Sequence, residues 1–213
     1  MVDFLLILEK TVKYSKEQID KGNTPQEVYE ICSCIRETFC LSYSIRKDNN
    51  LYLYFQEDNL LLSFIGEELR YLGPDERSQA LLLLKAIEKG RLISIKDEAK
   101  MMKSTPGIYC MKFLDNKSFF RVLNNESNGN IYFITDDYRP LEEIVETPVL
   151  DENFKIKGEK GLYIIPTYFI TPQLLDFIKA LTHMKNIYLL SLSKIKPIEN
   201  KILYINFRND QQG

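Results

Sequence analysis

The stretch GEELRYLGPDERSQALLLLKAIEK, residues 66–89, decides the fold class of this chain. Gly73 and Pro74 stop the segment before them, and the acids that follow, Asp75 and Glu76, suit the positive end of a starting helix. Apolar residues then recur at helical spacing and form a wide stripe: Ala80, Leu81, Leu82, Leu83, Leu84 and Ile87. A stripe this wide predicts a capped, mostly buried helix that packs against a sheet.

Short apolar runs on both sides of this helix predict the strands of the sheet. Strands are expected at 2–8, 51–55, 60–65, 108–113, 131–135, 161–166 and 186–192, with a further strand or sheet edge at 91–95. Helices are expected at 115–125, at 171–181 after the cap Thr171, and at 25–39, where Thr24, Pro25 and Glu27 form a capping box. The tail at 196–207 fits either a helix or a strand. Strands alternating with helices predict an α/β fold with a mostly parallel sheet. The length of 213 residues allows one domain or two small ones.

Composition excludes several classes of protein. The chain has 213 residues and a mass of 25.0 kDa, with 45% hydrophobic and 27% charged residues, which are globular values. No apolar run approaches the length of a membrane span, and the N-terminus does not have the pattern of a signal peptide, so we expect a cytoplasmic protein with no membrane partner. The net charge of −2 argues against a protein that coats DNA. An acidic stretch at 136–152 precedes a basic C-terminal part, and this asymmetry permits a polyanionic partner.

The cysteines allow two interpretations. Cys32, Cys34 and Cys40 are close enough in sequence to propose a zinc site, but Cys110 is distant and His183 is the only histidine. A structural zinc site usually has four ligands. We therefore favour buried free thiols over a metal site.

Three passages carry a resemblance to a known family. They are ICSCIRETFCLSYSIRKD at 31–48, FIGEELRYLGPDERSQALLLLKAIEK at 64–89 and STPGIY at 104–109. Together they resemble the archaeal tRNA pseudouridine N1-methyltransferases of the SPOUT superfamily, in order and in spacing, from the first strand to about residue 145.

The resemblance implies a fold and an activity. It implies a single SPOUT domain over residues 1–213, with helices on both faces of the sheet and a C-terminal segment, roughly 160–210, that forms a trefoil knot. It also implies a homodimer in which the partner subunit helps to complete the site. Relatives bind S-adenosylmethionine in the knot loops and methylate N1 of a pseudouridine in the T arm of tRNA. By position in the knot loops, the cofactor would contact Ile165, Leu190, Ser191 and Leu192. The tail residues Ile198, Ile202 and Ile205 are expected to form an apolar stripe at the dimer interface.

The cofactor loops depart from the family pattern. The family's first loop contains two glycines, whereas Pro166, Tyr168 and Ile170 occupy this stretch here. The second loop keeps the Leu-Ser-Leu core at 190–192, but Lys201 stands where the family has a cysteine. Because proline donates no backbone hydrogen bond, we expect S-adenosylmethionine to bind weakly or not at all.

Upstream, the arginine of the family's first motif is replaced by Ser33, and its Ser-His-Asp triplet by Ser42, Tyr43 and Ser44. Arg46, Asp48 and Arg77 remain as candidate RNA contacts, with Arg36 and Lys47 nearby. For Asp75 and Arg77 a purely structural role at the helix start is the stronger interpretation. No residue is assigned a catalytic role.

Two functions of different classes follow. In the first, the protein keeps the cofactor and methylates pseudouridine in tRNA. In the second, it keeps the fold and the dimer but has lost the cofactor, and it binds tRNA or another structured RNA, or a partner protein, as a scaffold. The altered loops favour the second function, and any RNA affinity is expected to depend steeply on salt.

Overall fold

A nine-stranded sheet runs through the part of the chain that the computed structural model describes, which comprises residues 2–94, 100–126, 129–136, 149–150, 161–167 and 187–211. The strands are β1 (Val2–Leu8), β2 (Asn50–Phe55), β3 (Leu60–Ile65), β4 (Met102–Thr105), β5 (Ile108–Lys112), β6 (Asn130–Thr135), β7 (Val149–Leu150), β8 (Gly161–Pro166) and β9 (Ile187–Ser191). The helices are α1 (Lys16–Asp20), α2 (Gln26–Phe39), α3 (Glu76–Arg91), α4 (Asn116–Glu126) and α5 (Ile198–Asp210). The α/β class predicted from the sequence is confirmed.

The order of the strands in the sheet is β4-β5-β3-β2-β1-β8-β6-β9-β7. Neighbours from β2 to β7 in this order are parallel, whereas β3, β5 and β4 extend the sheet as antiparallel strands. Strands β1 and β8 lie at the centre and are buried on both faces, which explains their continuous apolar sequences. The sheet is therefore mostly parallel, as predicted.

Alternate residues of β1 belong to two separate hydrophobic cores. Phe4 and Leu6 face a core shared with α2, α3 and α5, whereas Leu5 and Ile7 face a core shared with Phe119 of α4. Helices thus cover both faces of the sheet, as the sequence indicated.

The parallel strands all begin on one side of the sheet and end on the opposite side. We call the side where β1, β6, β8 and β9 end the carboxyl edge, and the side where they begin the amino edge. Helix α5 begins near Asp136, which follows β6, and its last residue, Asp210, pairs with Arg46 in the segment before β2. It therefore runs from the carboxyl edge to the amino edge, and α2, which connects β1 to β2, runs in the same direction.

The PDERS turn begins helix α3 as a capped start. Asp75 is the N-cap, and its Oδ1 accepts a hydrogen bond of 2.8 Å from the backbone N–H of Ser78. This bond is the main reason that the pKa of Asp75 lies below its usual value. The predicted cap is confirmed, and the stripe of α3 is buried against the sheet.

Two glycines in the family motifs have structural roles at the amino edge. A Cβ on Gly66 would lie 2.3 Å from the Asn49 carbonyl oxygen, and Gly107 has φ +78 with the Leu69 nitrogen 2.4 Å from such an atom. Only glycine lets these backbones approach so closely. Close backbone packing therefore explains the glycines of the GEE and TPG motifs without a role in ligand binding.

Several predictions at element boundaries were wrong. Pro25, not Thr24, is the N-cap of α2 and makes no side-chain cap, so the proposed capping box does not form. Residues 91–94 end α3 and are not a strand, because the helix continues through Arg91. The short elements α1, β4 and β7 were not predicted, since each offers too few apolar residues to establish a period.

The ambiguous tail is helical, and its predicted apolar stripe packs inside the protein. Ile202 and Ile205 are fully buried in the core shared with α2, and Ile198 packs against that core. They are therefore not available as a dimer interface. The predicted helix 171–181, most of the acidic stretch 136–152, His183 and the connections that would form the knot lie outside the described residues, and no described helix is long and apolar enough to cross a membrane.

We expect Asp75→Ala to lower the free energy of unfolding by about 1 kcal/mol at neutral pH, because the α3 N-cap is lost. The folded-state pKa of Asp75 is depressed, so its contribution is present above about pH 4 and is lost as the pH falls through that lower pKa. Urea titrations of both proteins should therefore converge on acidification. Glu67→Ala, at an exposed acid of the preceding turn, is the matched control; an equal loss in both variants would contradict the capping role.

Candidate active site

A cavity of about 950 Å³ lies at the carboxyl edge, on the face of the sheet that α2 and α5 cover. Its apolar floor includes Leu6 and Leu8 of β1 together with Ile31 of α2. Its rim is polar and is formed by the segment 9–13, by the first turns of α2 and α5, and by Asp136 and Thr167, which follow β6 and β8. In open α/β sheets, ligands bind beyond the carboxyl ends of the parallel strands, where this cavity lies.

Two helices begin at the cavity. Pro25 caps α2 and Pro197 caps α5, and neither proline has a polar side chain with which to bind the amides of the first turn. The positive ends of both helix dipoles are consequently directed toward the same region, which Glu27 and Glu199 partly offset.

Lys201 is the single buried charged side chain in the described part of the chain. It projects from the first turns of α5, lines the cavity and is 5% exposed. Its Nζ donates a hydrogen bond to Oδ1 of Asp136, whose side chain is 43% exposed. A buried cation is thereby neutralised at the rim by a carboxylate that the cavity can still reach.

Strand β8 ends at Pro166. The next residue, Thr167, donates two hydrogen bonds to the Ile7 carbonyl oxygen, 3.0 Å from its backbone N and 3.1 Å from its Oγ1. Strand β8 lies between β1 and β6, and backbone nitrogens of successive residues in a strand point to opposite sides. The nitrogen of Thr167 points to β1, so the nitrogen of Pro166 points to β6. The ladder between β6 and β8 ends at Phe133 and Ile164, and the proline therefore removes no sheet hydrogen bond.

The predicted cofactor residues lie near the cavity but are not part of its described lining. The side chains of Ile165, Leu190 and Leu192 are buried in the core, and Ser191 is half-buried at the end of β9. They can meet a ligand only through the backbone or, for Ser191, through a partly exposed hydroxyl. Their assignment stays a prediction, as does that of Tyr168 and Ile170, which lie outside the described residues.

The predicted RNA contacts lie at the opposite edge. Arg46 makes two bonds of 2.7 Å to the carboxylate of Asp210, and Arg77 makes bonds of 2.9 and 2.7 Å to Asp20 of α1. Asp48 is exposed beside Arg46. Arg46 and Asp48 precede β2, whose six residues separate them from the carboxyl edge by roughly 20 Å at about 3.3 Å per residue.

The other two cations considered for RNA contact are also engaged. The Nζ of Lys47 donates to the Leu69 carbonyl oxygen at 2.6 Å, and Arg36 pairs with Glu37 at 3.0 Å. Arg46 and Arg77 thus both have carboxylate partners within the chain, which supports a structural role for Arg77.

Two exposed tyrosines at the amino edge were not singled out from the sequence as contact residues. Tyr43 is 102% exposed and Tyr71 is 69% exposed. Their loops are adjacent, because the thiol of Cys40 contacts the Gly73 carbonyl oxygen at 3.9 Å and Lys47 binds that of Leu69. No apolar period or charge pattern in the sequence marks either tyrosine as a contact residue.

The four cysteines are free thiols, and all but the half-buried Cys40 are buried. Burial raises the pKa of each, to about 12 for Cys32, so these thiols are protonated and unreactive at neutral pH. Among the residues that the structure describes, no three His, Cys, Asp or Glu side chains cluster as a metal site.

Comparison with known proteins places this geometry in a family. Residues 1–150 match the model of a family described as SAM-dependent RNA methyltransferases. The chain is 31% identical over 173 residues to the tRNA (pseudouridine(54)-N(1))-methyltransferase of Methanococcus maripaludis, covering 78% of this chain and 76% of that protein. It is 32% identical over 172 residues to the enzyme of the same name from Methanococcus vannielii, with the same coverage.

A further relative of that name, from Methanocaldococcus jannaschii, is 29% identical over 154 residues, covering 70% of this chain and 74% of the relative. Among solved structures, Archaeoglobus fulgidus Nep1 bound to S-adenosylhomocysteine matches with a TM-score of 0.56 at 10% identity, covering 99% of this chain and 97% of that one. The likeness to this solved structure concerns the fold alone. The chain belongs to the family described as SAM-dependent RNA methyltransferases.

Proposed function

We propose that this protein is an S-adenosylmethionine-dependent methyltransferase that acts on a pseudouridine in tRNA, with a cofactor site altered in this chain. The observation that supports this function most strongly is the cavity of about 950 Å³ at the carboxyl edge. Its position matches the place where ligands bind in parallel α/β sheets, and the chain that forms it belongs to a methyltransferase family.

The residues of the cavity fit the chemistry of the cofactor. S-adenosylmethionine combines an apolar purine, a hydroxylated ribose and a charged amino-acid end, and the cavity combines an apolar floor with a polar rim. Leu6, Leu8 and Ile31 suit the base, and Thr167, Asp136 and Lys201 suit the polar groups. The volume lies within the usual range for small-molecule sites of roughly 300–1,000 Å³.

The cofactor supplies an electrophilic methyl group, so the protein must mainly align the nucleotide and let a proton leave its N1. The segment 9–13 and the first turns of α2 and α5 form the rim at which a nucleotide would approach. Holding two reactants in line contributes a large part of such a rate enhancement, and solvent at the rim can accept the proton. Cys34 lines the cavity, and burial raises the pKa of its thiol, which disfavours a thiolate there at neutral pH.

Pro166 supports a second function, because it offers no amide to a ligand at the end of β8. In this alternative the protein binds structured RNA and no longer uses the cofactor.

Calorimetry with S-adenosylmethionine and S-adenosylhomocysteine separates the two functions. We expect dissociation constants weaker than about 10 μM, because one missing backbone hydrogen bond lowers affinity roughly ten- to hundredfold. Pro166→Gly combined with Ile170→Gly should restore tighter binding. Incubation with the cofactor should add one methyl group to a tRNA that contains pseudouridine and none to the same tRNA with uridine.

Micromolar or tighter binding by the unmodified protein would show that the loop is not impaired. No cofactor binding by either protein, with tRNA binding retained, would overturn the methyltransferase proposal in favour of the RNA-binding one.

For the RNA itself we propose a contact surface at the amino edge. This surface, which we call the tyrosine patch, consists of Tyr43, Lys47, Arg70 and Tyr71. Single-stranded or flipped bases stack on exposed aromatic rings, and exposed cations such as Arg70 meet phosphates. Arg46 is less suited to this role, since Asp210 already neutralises it.

Salt titrations of tRNA binding test the patch. Tyr43→Ala should weaken binding several-fold without changing the slope of affinity against salt, because stacking releases few ions, whereas Arg70→Gln should reduce the slope by about one. Tyr43→Phe keeps the ring and is the matched control. Unchanged affinity in both Tyr43→Ala and Arg70→Gln would remove the patch from the RNA footprint.

We also propose that the protein is a homodimer, through a surface other than the buried stripe of isoleucines. Leu203 and Phe207 lie four residues apart on the outer side of α5 and are 47% and 54% exposed. Residues at this spacing share one helix face, so the two side chains form a continuous apolar surface that a second copy would cover.

Light scattering at micromolar concentration should give twice the chain mass of 25.0 kDa. Leu203→Glu combined with Phe207→Glu should shift the protein toward the monomer, because charges at a buried interface are costly. Leu92→Glu, at an apolar residue that is 79% exposed elsewhere, is the control. A monomeric unmodified protein would contradict the dimer.

A further inference from the structure

We infer that the ion pair between Lys201 and Asp136 recognises the zwitterionic amino-acid end of a nucleoside ligand in the cavity. This inference rests on the proposed function and goes beyond it, because it assigns a specificity-determining role to a lysine that replaces the family's cysteine. The ligand carboxylate would bind Nζ of Lys201, and the ligand ammonium would bind Asp136.

The ion pair lies at the wall of the cavity. Both side chains line the cavity, one from α5 and the other from the segment after β6. Lys201 is buried, whereas the carboxylate of Asp136 is 43% exposed. The pair therefore presents one positive and one negative group side by side, which is the complement of an α-amino acid.

The Lys201 ammonium and the Asp136 carboxylate can both form further hydrogen bonds. A lysine ammonium has three N–H donors, and Asp136 accepts one of them. An ionised carboxylate accepts about four hydrogen bonds, so Asp136 can also serve an ammonium. A ligand can thus bind both groups without breaking the bond that joins them.

The cost of burying an ion pair also bears on the role of Lys201. A buried ion pair is often no more stabilising than apolar residues of the same volume, because both charges must be desolvated. Position 201 lies next to Ile202, Ile205 and Ile198, where an apolar side chain would extend the core of α5. A lysine at this position is better explained by what it contacts in the cavity than by packing.

The experiment compares two ligands that share the nucleoside. S-adenosylhomocysteine carries the amino-acid end, and 5′-methylthioadenosine lacks it. By calorimetry, the unmodified protein should prefer S-adenosylhomocysteine roughly ten- to hundredfold, the range expected when charge-assisted hydrogen bonds are made. In Lys201→Met this preference should fall to near one while the affinity for 5′-methylthioadenosine stays the same, and Lys201→Arg should restore part of it.

Lys196→Met, which removes an exposed lysine from the same cavity, is the matched control and should keep the preference. Unchanged affinity for 5′-methylthioadenosine also reports that the Lys201→Met variant is folded. If that variant does not fold, Asp136→Asn decides, since it keeps the shape and an acceptor oxygen but loses the charge, and it should reduce the preference as well.

The binding results distinguish an error about the ion pair from an error about the methyltransferase activity. Equal binding of both ligands by the unmodified protein would overturn the role of the ion pair and leave the methyltransferase proposal standing. A preference that survives in Lys201→Met and in Asp136→Asn would do the same. Binding of neither ligand would overturn both.

Discussion

Helix α5 is the element on which both edges of this protein depend, because it is held by polar contacts at each end. Lys201 binds Asp136 at the carboxyl edge, and Asp210 binds Arg46 with two bonds of 2.7 Å at the amino edge. Between them, the buried amide of Asn206 accepts from Asn49 at 2.9 Å and donates to the Glu37 carbonyl oxygen at 2.8 Å. An apolar helix face can slide along a core, whereas these directional bonds fix its register.

A helix of thirteen residues measures about 20 Å, which equals the depth of the sheet it crosses. The cavity and the tyrosine patch are therefore separated by one helix length within a chain. A nucleotide cannot touch both, so an RNA that uses both surfaces must extend across the protein or across two copies.

Sequence reasoning succeeded where the signal was local and failed where it was not. The strands β1 and β8 were found because central parallel strands are continuously apolar, and Asp75 was found because a cap acts within one helical turn. The partner of Arg46 lies 164 residues away, so no local pattern could show that Asp210 neutralises it. The cavity could not be predicted from the sequence either, because it is formed by residues that lie far apart in the chain, near 9–13, 136 and 196–201.

Two residues at the carboxyl edge, Pro166 and Lys201, are accommodated without the loss of a sheet hydrogen bond and without an unpaired charge. Pro166 occupies a position whose nitrogen faces β6 beyond the end of their shared ladder, so the sheet loses no bond there. Lys201 introduces a buried charge, and Asp136 neutralises it. A buried cation without a partner destabilises a fold by about 3–5 kcal/mol, so folding alone requires that Lys201 be neutralised. Folding does not require that the side chain of the neutralising Asp136 be 43% exposed at the rim of a cavity. It is therefore the exposure of Asp136, and not the pairing of Lys201, that distinguishes this ion pair from one that serves folding alone.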